Sequence, residues 1–234
     1  ITGDKWWDFM ERALGSRLLA NPSQKDLGVM VRGDVMERRL GYALAVTSGD
    51  GINKPNIDNR ADFIARILLR PFATQNNSMA KAYIGASMRY GRRDPNYVRY
   101  DATTFSTPGG YAFWSPVYGT GAAETHVMPS NEQKAFLAEL YFPMDRFDIR
   151  GEFLMLNEGR REAFASSLGN TERAGTLKAL SYWVQLTWWP WGTPRVNGDP
   201  ATFPLPDFKY PTTGSKSARG LEIALVDHLG HRVD

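Results

Sequence analysis

Residues 60–91 read RADFIARILLRPFATQNNSMAKAYIGASMRYG, two stretches of alternating polarity around a polar turn. From 61 to 71 the odd positions are Ala61, Phe63, Ala65, Ile67, Leu69 and Pro71, while the even positions include Asp62, Arg66 and Arg70. After the turn ATQNNS, Ala80, Ala82, Ile84, Ala86, Met88 and Tyr90 share one side, and Lys81, Tyr83, Ser87 and Arg89 share the other. Successive side chains of a strand point to opposite faces, so each arm has one apolar face and one charged face. A helix, with its period of 3.6, would scramble that sorting. A β-hairpin with strands over 60–71 and 79–91 is expected.

The same alternation extends outward. Leu27, Val29, Val31 and Val35 oppose Gly28, Met30, Arg32 and Asp34, and the tight connection MERR leads to Leu40, Tyr42, Leu44 and Val46. The Gly/Asn/Asp/Pro-rich SGDGINKPNIDN at 48–59 has the chemistry of a loop. Residues 91–133 are rich in Gly, Pro, Thr and Tyr and read as one large loop with a short strand within 99–106. Two strands flank the turn PMDR, one over 134–142 and one with Phe147, Ile149, Phe153 and Met155 backed by Asp148, Arg150 and Glu152. A charged loop is expected over 157–175, then a strand around Leu180–Trp188, a Pro-rich loop over 190–217 and a last strand at Leu221–Leu225. Only residues 5–20 suggest helix, ended by Asn21-Pro22. Eight or nine strands linked as consecutive hairpins predict an all-β, antiparallel, up-and-down sheet in a single domain over 1–234.

Composition narrows the function. No cysteine occurs, which removes disulfides, Cys-ligated metals and thiol catalysis. Twenty-eight Lys and Arg against 25 Asp and Glu give a net charge of +3, scattered rather than clustered, so nucleic acid is not an expected partner. No apolar run approaches the roughly 20 residues of a membrane-spanning helix, but that test does not address β-barrels, which cross with strands of about 10 residues. Ile1 opens a polar, aromatic segment without the features of a secretory leader, so a mature chain or a piece of a longer one is expected. His126, His228 and His231 are the only histidines, and their spacing does not suit a shared metal. No nucleophile motif accompanies them. Neither enzymatic activity nor a cofactor or metal is expected.

Alternation alone leaves the apolar face free to point into a soluble core or into lipid. A soluble antiparallel β-sandwich binding module and a structural barrel within an envelope complex both remain open. Strand length favours lipid, because soluble strands average five or six residues whereas an oblique bilayer crossing needs 9 to 11. Aromatic residues also gather at strand ends, at Phe72, Tyr90, Tyr141, Phe142, Trp188, Trp189 and Trp191. Such rings suit the lipid headgroup zone.

The stretch DFMERAL, then DLGVMVRGDVMERRLGYALAVTSGDG and DFIARILLRPFA, resembles the middle of the phosphate-selective porin O and P family. LAELYFPMDRFDIRGEFLML is similar to a later hairpin of that family, and YWVQLTWWPWG and ARGLEIALVDH fall where its next strands would be. The resemblance implies a 16-stranded transmembrane β-barrel of which this chain covers only part, in a homotrimer of the Gram-negative outer membrane. It implies a water-filled channel favouring small anions such as phosphate. On that basis the charged faces line the pore, with Arg32, Arg39, Arg60, Arg66, Arg70, Lys81, Arg89 and Arg150 balanced by Asp34, Asp62, Glu139, Asp148, Glu152 and Glu222. The expected anion-contacting residues are Arg66, Arg70, Lys81, Arg89 and Arg150, and the partners are the lipid bilayer and small anionic solutes. The nearly uncharged loop within 91–133 is a candidate pore constriction.

Overall fold

The computed structural model describes residues 26–50, 58–94, 104–106, 110–121, 124–164, 171–191, 221–227 and 231–233. The expected helix at 5–20 lies outside them, as do 51–57 and most of 190–217. Twelve strands are described: β1 (Gly28–Val35), β2 (Leu40–Thr47), β3 (Asp62–Leu69), β4 (Tyr83–Arg93), β5 (Phe105–Ser106), β6 (Ala112–Trp114), β7 (Val117–Tyr118), β8 (Thr125–Met144), β9 (Phe147–Phe164), β10 (Thr171–Trp191), β11 (Leu221–Asp227) and β12 (His231–Val233). The main sheet runs β1-β2-β3-β4-β8-β9-β10-β11, with β7 beside β8 and β12 beside β10, and every pairing is antiparallel. Apart from one 3-10 turn, the described residues are therefore all-β. Among the described strands the sheet is open, with β1 and β11 at its ends. Among the described residues no helix is long and apolar enough to cross a membrane, which says nothing of a β-barrel.

Three sequence expectations are corrected. The strand expected to start at 79 starts at Tyr83, because Ser78–Lys81 form a 3-10 turn that ends the alternation before Lys81 is reached. The region expected as a loop up to 133 contains β5 to β7 and the first part of β8, which begins at Thr125. The loop expected over 157–175 is largely strand: β9 continues to Phe164 and β10 starts at Thr171. Those extensions carry polar residues on both faces, so no period-2 pattern marks them.

Register aligns the apolar residues into rows across the sheet. One row is Val31, Leu44, Ala65, Met88, Phe136, Met155 and Leu180, and the next is Gly33, Tyr42, Ile67, Ala86, Ala138, Phe153 and Tyr182. This face is exposed: Val31 is 60%, Leu44 57%, Met88 54% and Met155 51% accessible. On the long strands its apolar run covers Phe136–Met144, Phe147–Met155 and Leu180–Trp188, nine residues each, and every charged side chain within those ranges (Glu139, Asp148, Arg150 and Glu152) belongs to the opposite face.

The opposite face is exposed on β1 but largely covered on β8 to β10. Asp62, Glu139, Asp148, Arg150, Glu158, Arg160, Gln185 and Thr187 are all buried there. The β5–β6 hairpin packs on it, where Phe105 and Trp114 meet Ala135, Leu137, Leu154, Leu156, Leu177 and Ala179. A soluble sheet protein buries its apolar side and wets its charged side. This sheet has the reverse polarity. Beyond the apolar run β8 bulges between Pro129 and Gln133, with Asn131 at φ 58°, and the Gln133 amide donates to the Ser130 and Gly159 carbonyls. That side chain satisfies acceptors the bulge removes from the ladder.

Candidate functional site

The covered face holds the charged constellation, and strand parity puts it there: Arg66, Arg89 and Arg150 alternate with the exposed apolar residues of β3, β4 and β9, and Arg70 directly follows β3 on the same side. Each makes an ion pair. Arg66 donates through Nε to Glu139 at 2.8 Å, Arg70 to Asp34 at 2.8 Å, Arg89 to Glu158 at 2.7 Å and Arg150 to Asp148 at 3.1 Å. Arg150 also lies over the Tyr141 ring, 4.8 Å from its centroid. Four of the five expected anion-contacting residues therefore share one face, matched by carboxylates. Lys81 does not join them, since it is exposed in the 3-10 turn. Arg39, expected on the same lining, sits in the β1–β2 turn and donates to Thr74, and Arg60 precedes β3. Glu222 lies on β11, for which only the backbone is described.

Glycines let these pairs cross intervening strands. Gly41 stands between Asp34 and β3, and a Cβ there would meet the Asp34 carboxylate at 2.8 Å and Arg70 at 3.2 Å. Gly85 faces Glu139, and its Cβ would lie 2.7 Å from the Glu139 Cγ. At Gly91 an added Cβ would strike the Asp62 carboxylate and reach Arg93 at 3.2 Å. Asp62 and Arg93 form a buried two-point contact, with N–O distances of 2.7 and 3.2 Å, and Arg93 also donates to the Gly49 carbonyl at 2.7 Å. Burial opposes the charge on Arg93, but the Asp62 carboxylate outweighs it and raises the guanidinium pKa above its usual value.

From this pair a chain of alternating charge crosses the face. Arg93 contacts Asp62, Asp62 lies 4.0 Å from Arg89, Arg89 contacts Glu158, and Glu158 contacts Arg160 at 2.6 Å. The Arg160 Nε and Nη1 have no hydrogen-bond partner among the described residues, and the guanidinium lies 5.6 Å from the Trp114 centroid. A cation over an indole face recovers part of what those unmade bonds cost. Beside it is a cavity of about 350 Å³ bordered by Trp114, Val127, Arg160, Glu162, Arg173 and Leu177. Arg173 donates to Glu162 at 2.7 Å, and Tyr118 donates to the same carboxylate. The Arg173 and Tyr118 hydrogen bonds hold the Glu162 pKa below its ordinary value despite a small opposing effect of burial.

The sequence disclosed the face but not the partners, because Glu139 and Glu158 follow their arginines by 73 and 69 residues. Arg93 and Arg160 were missed. The long, uninterrupted alternation after Tyr83 was the available signal for Arg93, whereas Arg160 lies in a stretch polar on both faces. Among the described residues no group of three or more His, Cys, Asp or Glu side chains could hold a metal, and His126 contacts Glu124 at 2.9 Å. No family model, curated protein or solved structure matches the chain.

Proposed function

We propose that this chain is part of a porin-type β-barrel channel of the Gram-negative outer membrane, with its apolar face in lipid and its charged face along a water-filled path for small solutes, including anions such as phosphate. The observation that carries this is the inverted polarity of the sheet. Exposing a large apolar side chain to water forfeits about 1.5–3 kcal/mol, so a dozen of them exceed the roughly 5–15 kcal/mol of net stability a domain possesses. A lipid environment removes that cost. A nine-residue run rises about 27 Å along the strand, and roughly 20 Å along the normal at the 35–45° tilt of such barrels, near the apolar band of about 25 Å they present.

Aromatic placement supports the same orientation. Phe147 and Trp188 stack at 5.9 Å and Phe72 meets Phe142 edge-on at 6.4 Å near one margin of the apolar run, while Tyr90 stands at the other. Because unpaired strand edges in hydrocarbon cost several kcal/mol per group, the proposal includes further strands closing the sheet between β1 and β11. Assembly as a homotrimer belongs to the same proposal.

The ion pairing makes the anion preference shallow. Arg66 and Arg70, whose side chains remain 40% and 26% exposed, supply the accessible positive charge. Reversal potential in a salt gradient across a planar bilayer tests this: anion preference is expected, moving toward cations in Arg66→Glu/Arg70→Glu. Cation preference in the unaltered protein, unchanged by those substitutions, would refute it.

A further inference from the structure

The row of residues on the exposed face next to the apolar run is polar, and register places its members side by side. Tyr90 of β4 stands opposite Lys134 of β8, Lys134 opposite Asn157 of β9, and Asn157 opposite Lys178 of β10. The following row pairs Arg92 with Glu132. All of these except Tyr90 are exposed, so the charges stand on the same open surface as Met88, Phe136 and Met155, one pleat further along.

The charges are unequal. Arg92, Lys134 and Lys178 face one carboxylate, Glu132, which contacts Lys134 at 2.5 Å and lies 3.4 Å from the Tyr90 hydroxyl. The Lys134 ammonium also lies 5.9 Å from the Tyr90 centroid. Lys178 has no ion-pair partner among the described residues. Neighbouring strands are about 4.8 Å apart, so the backbones of Lys134 and Lys178 are roughly 10 Å apart with Asn157 midway. Two flexible ammonium groups flanking a carboxamide donor can converge on one tetrahedral anion.

The geometry points to a lipid-headgroup site: Lys134, Asn157 and Lys178 bind the phosphate of an anionic membrane lipid whose acyl chains lie along Phe136, Met155 and Leu180. This rests on the membrane orientation proposed above and names the partner of its polar margin. The continuity of the cationic row with the apolar rows selects lipid over free phosphate, because only a lipid engages both at once. The site is on the outside of the sheet, separate from the charged face.

Tryptophan-to-dansyl energy transfer from the full chain in mixed micelles tests it, using dansyl-labelled phosphatidate against dansyl-labelled phosphatidylcholine. A basic residue near an anionic lipid surface strengthens association about fivefold. With Lys134 partly neutralised by Glu132, half-maximal transfer to phosphatidate is expected at about tenfold lower probe concentration. Lys134→Gln/Lys178→Gln, both at exposed positions, should erase the difference while leaving transfer to phosphatidylcholine unchanged. Inorganic phosphate should not displace the phosphatidate. Equal uptake of both lipids by the unaltered protein, a preference that survives the double substitution, or displacement by inorganic phosphate would each overturn the headgroup site alone. Transfer to neither lipid would refute the membrane orientation together with it.

Discussion

Replacing Gly91 by alanine introduces one methyl group where the structure leaves no room for it. Its carbon would fall 2.6 Å from the Asp62 Cγ and 3.2 Å from the Arg93 Nη1. Aspartate is too short to swing aside while keeping both contacts to Arg93, so the methyl separates the pair. The Asp62 and Arg93 side chains are 3% and 6% exposed, and breaking a pair this deeply buried costs about 3–5 kcal/mol because a charge is left without compensation. Alanine returns roughly 0.5–1 kcal/mol over glycine within a strand. The net loss is about 2–4 kcal/mol, a roughly 30- to 1000-fold increase in the unfolding constant. Reversible guanidinium unfolding of the chain in micelles, followed by tryptophan fluorescence, measures it. Asp62→Ala supplies the second edge of a double-mutant cycle. If the methyl acts by displacing Asp62, Gly91→Ala adds little once the carboxylate is gone. Stability within about 0.5 kcal/mol of the unaltered protein, or additivity of the two changes, would refute the reasoning.

The β1–β2 turn carries three successive bulky residues at positive φ, Met36 at 53°, Glu37 at 54° and Arg38 at 69°, so Glu37→Asn/Arg38→Gly should raise the denaturant midpoint by the equivalent of about 1–2 kcal/mol, and an unchanged or lower midpoint would contradict that strain. Burial raises the Asp26 pKa, but hydrogen bonds from Ser48, Thr47 and the Gly49 and Leu27 amides more than offset it and leave the carboxyl below its usual 3.8. Since the folded pKa is the lower one, the stabilisation is present above the unfolded value and fades as pH falls through the folded value. Asp26→Asn should flatten the acid limb of amide-exchange protection at Ser48, and an identical limb would argue against the clamp. On the exposed face, Ala138→Arg should weaken folding into vesicles by about 2–4 kcal/mol and Asn157→Arg by under about 1 kcal/mol, as judged by urea titration. Equal penalties would place neither residue in hydrocarbon.

Much of this architecture was legible where one face is uniformly apolar. From Phe63 to Tyr90, parity assigned Arg66, Arg70 and Arg89 to the same side, and the structure keeps them there. The same rule failed at Lys81, because parity counted through a turn loses meaning once the 3-10 bend resets the backbone. It failed again after Met155, where Asn157 and Lys178 on the exposed side meet Glu158 and Arg160 on the covered side and no contrast remains to be read. Strands of two or three residues such as β5 and β6 are too short to show a period at all. Ion-pair partners were illegible for another reason: Arg66 meets Glu139 only through the register of β4 against β8, which depends on hydrogen bonding across distant segments.

The glycines beneath the ion pairs also make the native register distinguishable from its neighbours. If β4 paired two residues out of place, hydrophobic matching would be almost unharmed, because Ile84, Ala86 and Met88 would still face the apolar side. Yet Tyr83 or Ser87 would then occupy the notch of Gly85, and neither leaves the gap through which Arg66 reaches Glu139. On β2 the same slip would put Ala43 in place of Gly41, beneath the contact of Asp34 with Arg70. Apolar rows alone tolerate every even-numbered slip, whereas a missing side chain admits only one. Correct alignment is thus marked by an absence, and at Gly41 a single carbon atom distinguishes the native pairing from the one that would bring in Ala43.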